Sequence, residues 1–350
     1  MTEKDYQELN NYLSDIWQYL YDKDWMLLNN IEVIARFNAA FRSVIKDYDL
    51  KRDYKQNHIT FNEVYLLARE IIETINPKYL EDYDNLLSSG ELDFDYENEL
   101  RDSRSMHIFT AGKSFDLIDI KRNFNYEDVV TLIHEYIHYT NGKINEDLEN
   151  RHMLTEYVSI YFEMYARDYL INKGIPKEEF YYNDRIISAY NYGLDITDYE
   201  LIFISYQKYG KITEETYKDL NASVINIPKE MFEKECKNFL EKCKKLDKEY
   251  QHDILYEADF NHKKYSDKLT ANIDTDYRYL FGTAFAIYTR ELNDIDSVIK
   301  LNDNLNNEML SLDDLLKMVH IDFDNPSLRN DLLSSLTRYL EKYNNKVIKW

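Results

Sequence analysis

The chain has 350 residues, of which 44% are hydrophobic and 31% charged, and its formal net charge is −22. This composition is typical of a globular protein rather than a disordered one. The acidic balance argues against binding of nucleic acid or of an anionic membrane through a broad basic surface. With only 7 Gly and 4 Pro, the chain is expected to be built mainly of long helices, because turn-forming and helix-breaking residues are scarce.

The sequence favours a cytoplasmic location. Its first residues contain no basic segment followed by an apolar one, so no secretory signal is expected, and no apolar run is long enough to span a bilayer. The two cysteines, Cys236 and Cys243, have a spacing that fits neither a redox pair nor a zinc finger and that suits a reducing compartment. We expect a monomer without membrane or nucleic-acid partners.

The first hundred residues are predicted to be helical. Apolar residues recur at spacings of three and four through residues 1 to about 48, which indicates two amphipathic helices. Residues 60–88 give another helical stretch with an interruption near Asn76-Pro77. The polar, acidic stretch 88–100 is the predicted boundary between an N-terminal helical region, 1–100, and a second region, 101–350.

Residues 105–120 are predicted to form a β-hairpin, because they are rich in β-branched and aromatic residues and contain Ala111-Gly112 in the middle. The letters "GKS" at this point do not form a phosphate-binding loop. Such a loop needs a glycine five residues before Gly112, where His107 stands, and a helix directly after it.

Helices are predicted for most of the remaining chain. The stretch "NYEDVVTLIHEYIHYTNG" has Asn125 as a helix N-cap and Asn141-Gly142 as its end. The further predicted helices are about 151–172, 176–190, 194–209, 212–222, 228–247, 270–293 and 326–346. The predicted fold class is therefore mainly α, with a small antiparallel sheet next to the helix that begins after Asn125.

The pentad "HEYIH" at residues 134–138 contains candidate metal ligands and a candidate catalytic base. On a helix, residues four apart lie on one face, so His134 and His138 can bind one metal ion together. Glu135 lies to the side, where its carboxylate can accept a proton from a metal-bound water. The alternative interpretation is a pair of helix histidines that are hydrogen-bonded in a polar seam.

A catalytic zinc needs a third protein ligand. The residues after His138, "YTNGKIN", contain no histidine and so exclude the extended motif of metzincins. Glu156, on the next helix among apolar neighbours, is the predicted third ligand, and its alternative is a solvated helix residue. Glu163 and Ser159 on the same face are candidates to orient a ligand histidine. The remaining histidines are predicted to be surface or packing residues: His58, His107, His152, His252 and His320.

Two segments, "FDLIDIKRNFNYEDVVTLIHEYIHY" and "LTEYVSIYFEMYARDYLI", resemble the core of the oligoendopeptidase F and thimet oligopeptidase family of gluzincin metallopeptidases. The first matches the family's D-V-x-T-L-x-H-E-x-G-H pattern except at the glycine, and the second contains its E-x-x-S-x-x-x-E pattern. A third similarity is "DYRYLFGTAFAIY" at 276–288. There the resemblance implies that Tyr279 stabilises an oxyanion, with Tyr277 beside it; the alternative is that both are packing tyrosines.

The resemblance implies a zincin-like catalytic domain over 101–350 that hydrolyses peptide bonds in oligopeptides through a zinc-activated water. One Zn²⁺ per chain would be held by His134, His138 and Glu156, with Glu135 as the general base. The chain departs from the family in four respects. Ile137 replaces a glycine, the connector from His138 to Glu156 is short, "SMHIF" replaces a glycine-rich strand, and no histidine precedes the tyrosine motif in "TANIDTD". These departures support an alternative function, a zinc-binding protein that binds peptides or a protein partner without turnover.

Overall fold

The structure, a computed structural model, describes residues 1–22, 26–50, 57–93, 103–110, 113–141, 151–223, 228–256 and 265–346. Within these ranges the helices are α1 Glu3–Asp22, α2 Met26–Ile45, α3 Phe61–Ile75, α4 Leu80–Ser89, α5 Glu127–Asn141, α6 His152–Asn172, α7 Asp184–Tyr209, α8 Glu214–Ser223, α9 Lys229–Tyr256, α10 Tyr265–Leu292, α11 Ile295–Asn302, α12 Leu312–Met318 and α13 Leu328–Tyr343. The strands are β1 Tyr48–Asp49, β2 Leu92–Asp93, β3 Arg104–Thr110, β4 Lys113–Asp119 and β5 Asn345–Lys346. The prediction of a mainly helical protein is confirmed.

The helix prediction needs correction in three places. The helix expected at 326–346 ends at Tyr343, because Asn345–Lys346 form strand β5. The two helices expected at 176–190 and 194–209 are largely one helix, α7, because the chain continues as a helix through Gly193. At that glycine the side chain of Asn38 donates a hydrogen bond from Nδ2 to the Gly193 carbonyl at 2.8 Å, in the space that a larger side chain would occupy. The short helices α11 and α12 were not predicted. They begin at the N-caps Asp294 and Ser311, whose side chains accept hydrogen bonds from backbone N–H groups.

The chain divides into two compact units. Unit 1 contains residues 1–43 and 189–280, and unit 2 contains residues 44–188 and 281–350. This partition differs from the boundary predicted near residue 100, because the first helices have partners far along the chain. In unit 1, for example, Asn10 Nδ2 donates to the Ile212 carbonyl at 2.8 Å. Local composition gives no information about contacts between segments so far apart in the chain.

The larger sheet, in unit 2, has the strand order β2-β4-β3. Strands β3 and β4 pair antiparallel from Arg104↔Asp119 to Thr110↔Lys113, as the hairpin prediction requires. The turn residues at 111 and 112 lie outside the described residues. Strand β2 pairs parallel with β4, so the sheet is mixed and the prediction of a purely antiparallel sheet was wrong. A strand of two residues is too short to produce an alternating sequence pattern.

The connection from β4 into α5 is held by Asp128, which is fully buried. Its carboxylate accepts hydrogen bonds from the backbone N–H groups of Asn123 at 2.8 Å and Phe124 at 2.9 Å. Arg122 Nε lies 3.4 Å from the same carboxylate. Asp128 therefore fixes where α5 begins relative to the sheet, and with it the position of "HEYIH" one to two turns later.

We expect Asp128→Ala to lower the free energy of unfolding by about 3–5 kcal/mol, since removing one partner of a buried ion pair is strongly destabilising. Two backbone N–H groups also lose their acceptor. Guanidinium unfolding of the variant and the parent measures the difference. The matched control is Asp324→Ala, at an exposed position, which should change stability by no more than about 0.5 kcal/mol. Equal losses in the two variants would contradict the anchoring role of Asp128.

Candidate metal centre

Helices α5 and α6 carry the predicted metal-binding residues and pack against each other within unit 2. Helix α6 is buried along most of its length, including its polar residues Glu156, Ser159 and Glu163. A buried carboxylate needs a partner that compensates its charge. The polar residues of α6 therefore either pair with nearby cations and histidines or hold an ion.

Three side chains converge on one point. His134 Nε2 lies 3.1 Å from His138 Nε2. The two carboxylate oxygens of Glu156 lie 3.6 Å from His134 Nε2 and 3.4 Å from His138 Nε2. Tetrahedral ligands at the usual zinc distances are separated from one another by about 3.4 Å. The spacing of these donors therefore fits a small divalent ion such as zinc.

Glu156 gives a second observation that fits a metal. The residue is 4% exposed, so the alternative of a solvated helix residue was wrong. Its Oε1 accepts no hydrogen bond within the described part of the chain, and such a buried acceptor is costly unless something else satisfies it. Burial raises the pKa of Glu156, but His134 and His138 outweigh this and lower the pKa to about 2. The carboxylate is therefore ionised and able to bind a cation.

Glu163 orients the first histidine. Its Oε1 lies 2.8 Å from His134 Nδ1, so Nδ1–H donates to Glu163 and the Nε2 lone pair faces His138 and Glu156. Burial disfavours the charged form of His134, yet Glu163 and Glu156 raise its pKa overall. Burial likewise opposes the ionised form of Glu163, but the Arg185 guanidinium and then His134 hold its pKa well below the usual range.

Two arginines complete this network, and the sequence did not indicate either as a site residue. Arg185 donates to Glu163 through Nε at 3.0 Å and through a second nitrogen. Arg167 lies 3.7 Å from the other Glu163 oxygen and donates to Glu127 at 3.1 Å. The only signal in the sequence is that Arg167 follows Glu163 by four positions, a helical spacing that brings opposite charges together.

Glu135 and Ser159 are both buried. Glu135 is 7% exposed and forms no hydrogen bond or ion pair with the residues described, and its carboxylate is not part of the three-residue donor group. Ser159 is fully buried, and its hydroxyl has no hydrogen-bond partner in the described ranges. No contact therefore supports the prediction that Ser159 orients a ligand histidine. Ile137 is buried in the core; this is the position at which the oligoendopeptidase F and thimet oligopeptidase family has a glycine.

Tyr277 and Tyr279 lie on α10 in unit 1, whereas the donor group belongs to unit 2. Tyr277 is 1% exposed and packs edge-on against Tyr199, with ring centroids 6.3 Å apart. The ring of Tyr279 stacks on that of Tyr192 at 4.8 Å. These contacts agree with packing tyrosines, and the oxyanion role of both residues stays a prediction.

Two of the remaining histidines have the surface or packing contacts that were predicted. His320 Nε2 lies 2.9 Å from Asp294 at an exposed position, and His58 stacks on Phe124 at 5.4 Å. The side chains of His107 and His252 lie outside the described residues. No helix in the described part of the chain combines the length and the apolarity that a membrane span needs.

Comparison with known proteins gives similarity at the level of the fold. No protein-family profile matches the sequence, and no curated protein matches it. A solved structure from Chlamydophila abortus, described as a peptidase, matches with a TM-score of 0.50 and 16% identity over 90% of this chain and 54% of that chain. Another from Bacillus anthracis str. Ames, described as an oligoendopeptidase F, matches with a TM-score of 0.45 and 11% identity over 96% of this chain and 56% of that chain. The chain thus spans about half the length of each structure that it matches.

Proposed function

We propose that the protein is a zinc-dependent metallopeptidase that hydrolyses peptide bonds in oligopeptides. The observation that carries the proposal is the convergence of His134, His138 and Glu156, with the buried Glu156 Oε1 left without a hydrogen bond. Three protein donors are the set that a catalytic zinc site uses, whereas a structural site has four. The fold shared with a protein described as a peptidase also supports this class.

The residues have distinct roles in this proposal. His134 and His138 would hold the zinc through Nε2 and Glu156 through its carboxylate, while Glu163 keeps the His134 ring in place. Bound there, zinc would supply Lewis-acid activation of a water molecule. Glu135 is the proposed general base, which accepts the proton of the attacking water and transfers it to the leaving amine.

Other parts of the proposal depend on the family resemblance. Tyr279, with Tyr277 beside it, is proposed to donate a hydrogen bond to the oxyanion that develops on the scissile carbonyl. Oligopeptides are the proposed substrates, and a cytoplasmic monomer is the proposed form of the protein. The zincin-like architecture of residues 101–350 is proposed on the same basis.

A second candidate is a zinc-binding protein that binds peptides or a protein partner without turnover. The burial of Tyr277 and the ring stacking of Tyr279 favour it, because an oxyanion donor must present its hydroxyl to the substrate. Ile137 in place of the family's glycine also favours it. The presence of Glu135 directly after His134 in the sequence favours the peptidase, because a structural zinc site does not need a base.

The test is to measure the metal content of the purified protein together with cleavage of a quenched fluorescent peptide library. We expect about one zinc per chain, loss of cleavage with a chelator such as phenanthroline, and recovery on adding zinc. Cleavage that survives complete metal removal would contradict the proposal. Stoichiometric zinc with no cleavage of any library member would favour the second candidate instead.

A further inference from the structure

Unit 2 contains a second polar site, a cavity of about 300 Å³ lined by residues of α6, α10 and α13 and by Tyr182. None of the metal-binding residues lines it. Its charged lining residues are Arg167, Asp168, Arg290, Glu291, Arg338 and Lys342. Four are basic and two acidic, so the lining carries a net charge of two positive in a chain whose formal net charge is −22.

Arg167 is the buried group of this cavity, with 5% of its surface exposed. One terminal nitrogen donates to Glu127, while Nε and the other terminal nitrogen donate no hydrogen bond within the described ranges. The second of these lies 3.7 Å from Glu163, which is too far for a hydrogen bond. Leaving buried charged donors unsatisfied is costly, and an acceptor placed in the cavity would remove that cost.

Two further groups of the lining are an ammonium and a phenol. Lys342 is exposed and forms no ion pair with any described residue; its ammonium interacts with Tyr343, whose ring centre lies 4.8 Å away. The Tyr182 hydroxyl is buried and has no hydrogen-bond partner in the described part of the chain. By contrast, Arg290 is paired with Asp168 at 2.6 Å, and Arg338 is paired with Glu291. Among the described residues, the buried donors of the lining that lack an acceptor thus belong to the Arg167 guanidinium and the Tyr182 phenol, and Lys342 adds a positive charge that no described carboxylate pairs.

We propose that this cavity binds a small oxyanion, a carboxylate or a phosphate, held by Arg167, Lys342 and the Tyr182 hydroxyl. An acceptor-only group of negative charge satisfies the two buried donor groups and pairs with the Lys342 charge, and guanidinium groups match the geometry of both oxyanions. The volume is at the lower end of the range for small-molecule sites, which favours a small metabolite over a polymer. The stacked rings of Tyr182 and Tyr343, 4.3 Å apart, provide an aromatic wall. The proposal does not depend on the peptidase activity.

The test is calorimetric titration of the full-length protein with inorganic phosphate and, separately, with N-acetylglycine as a carboxylate, both at constant ionic strength. We expect saturable binding of at least one probe. Lys342→Gln and Tyr182→Phe should each weaken it, by about tenfold for the lost charge and several-fold for the lost hydroxyl. Arg167→Met should abolish it. The probe that binds more tightly identifies the class of oxyanion.

Lys317→Gln is the matched control, because Lys317 is exposed on α12 and does not line the cavity; binding should be unchanged in this variant. If Arg167→Met fails to fold, the Lys342 and Tyr182 variants still decide the question, since Lys342 is exposed and Tyr182→Phe removes a single oxygen atom. The proposal is overturned if neither probe binds saturably, or if both variants bind as tightly as the parent protein.

Discussion

Replacing Glu135 with Gln is expected to lower kcat/KM for peptide cleavage by about 10²–10⁴-fold while the zinc content stays near one per chain, because the amide has the same shape but cannot accept a proton. Glu135 is well suited to this experiment. It forms no hydrogen bond or ion pair with the described residues, so the isosteric substitution breaks no such contact. Its carboxylate is not a member of the donor group, so metal binding should survive.

Single-turnover cleavage of one library peptide, with zinc content measured on the same sample, tests this expectation. Glu73→Gln supplies the matched control, since it makes the same chemical change at an exposed position of α3 in the same unit. It should cleave at the parent rate. Parent-like cleavage by Glu135→Gln would exclude Glu135 as the base and point to a contaminating peptidase or to another mechanism.

Replacing Glu156 with Ala is expected to raise the dissociation constant for zinc by more than about 100-fold. Loss of a residue that only hydrogen-bonds a metal ligand typically weakens metal binding by about 10–100-fold. The substitution removes the ionised carboxylate that lies within 3.6 Å of both histidine nitrogens. Two neutral imidazoles then remain, a set that binds zinc far more weakly than three donors with a negative charge.

Competition with a chromophoric chelator measures these constants. Glu163→Ala should weaken zinc binding by only about 10–100-fold, because it removes the group that orients His134 rather than a ligand. Glu73→Ala should have no effect. A larger loss in Glu163→Ala than in Glu156→Ala would show that the assignment of ligand and orienting residue is reversed.

The sequence predicted best what depends on neighbouring residues. The spacing of His134 and His138 is a property of one helix turn, and Glu156 follows after a short connection, so the donor group is local in the chain. Arg185 illustrates the opposite case. Its contact with Glu163 exists only because α7 begins beside α6, and no repeat or spacing marks it. The same holds for β2, whose two residues pair with β4 through tertiary contact alone.

The positions of the unit boundaries depend on contacts at still longer range. Unit 1 consists of two chain segments that are separated by residues 44–188. Its boundaries are therefore visible only once the contacts between these two segments are known. Helix α7 was predicted as two pieces, 176–190 and 194–209, and the gap between them contains Gly193, a residue type that weakens a helix. In the fold, the side chain of Asn38 on α2 fills the space next to Gly193 and donates a hydrogen bond to its carbonyl. This contact from another helix offsets the weak helix propensity of the glycine.

The close spacing of the metal donors has a consequence for the order in which the chain folds. His134 and Glu156 are 22 positions apart, so little loop-closure entropy is lost when α5 and α6 meet. The buried face of α1, with Leu9, Leu13 and Ile16, depends instead on partners such as α9, more than 200 positions later. During synthesis α5 and α6 are both complete before α9, the partner of the apolar face of α1, has been made. Unit 1 is therefore the part of the nascent chain with the greater need of protection against aggregation.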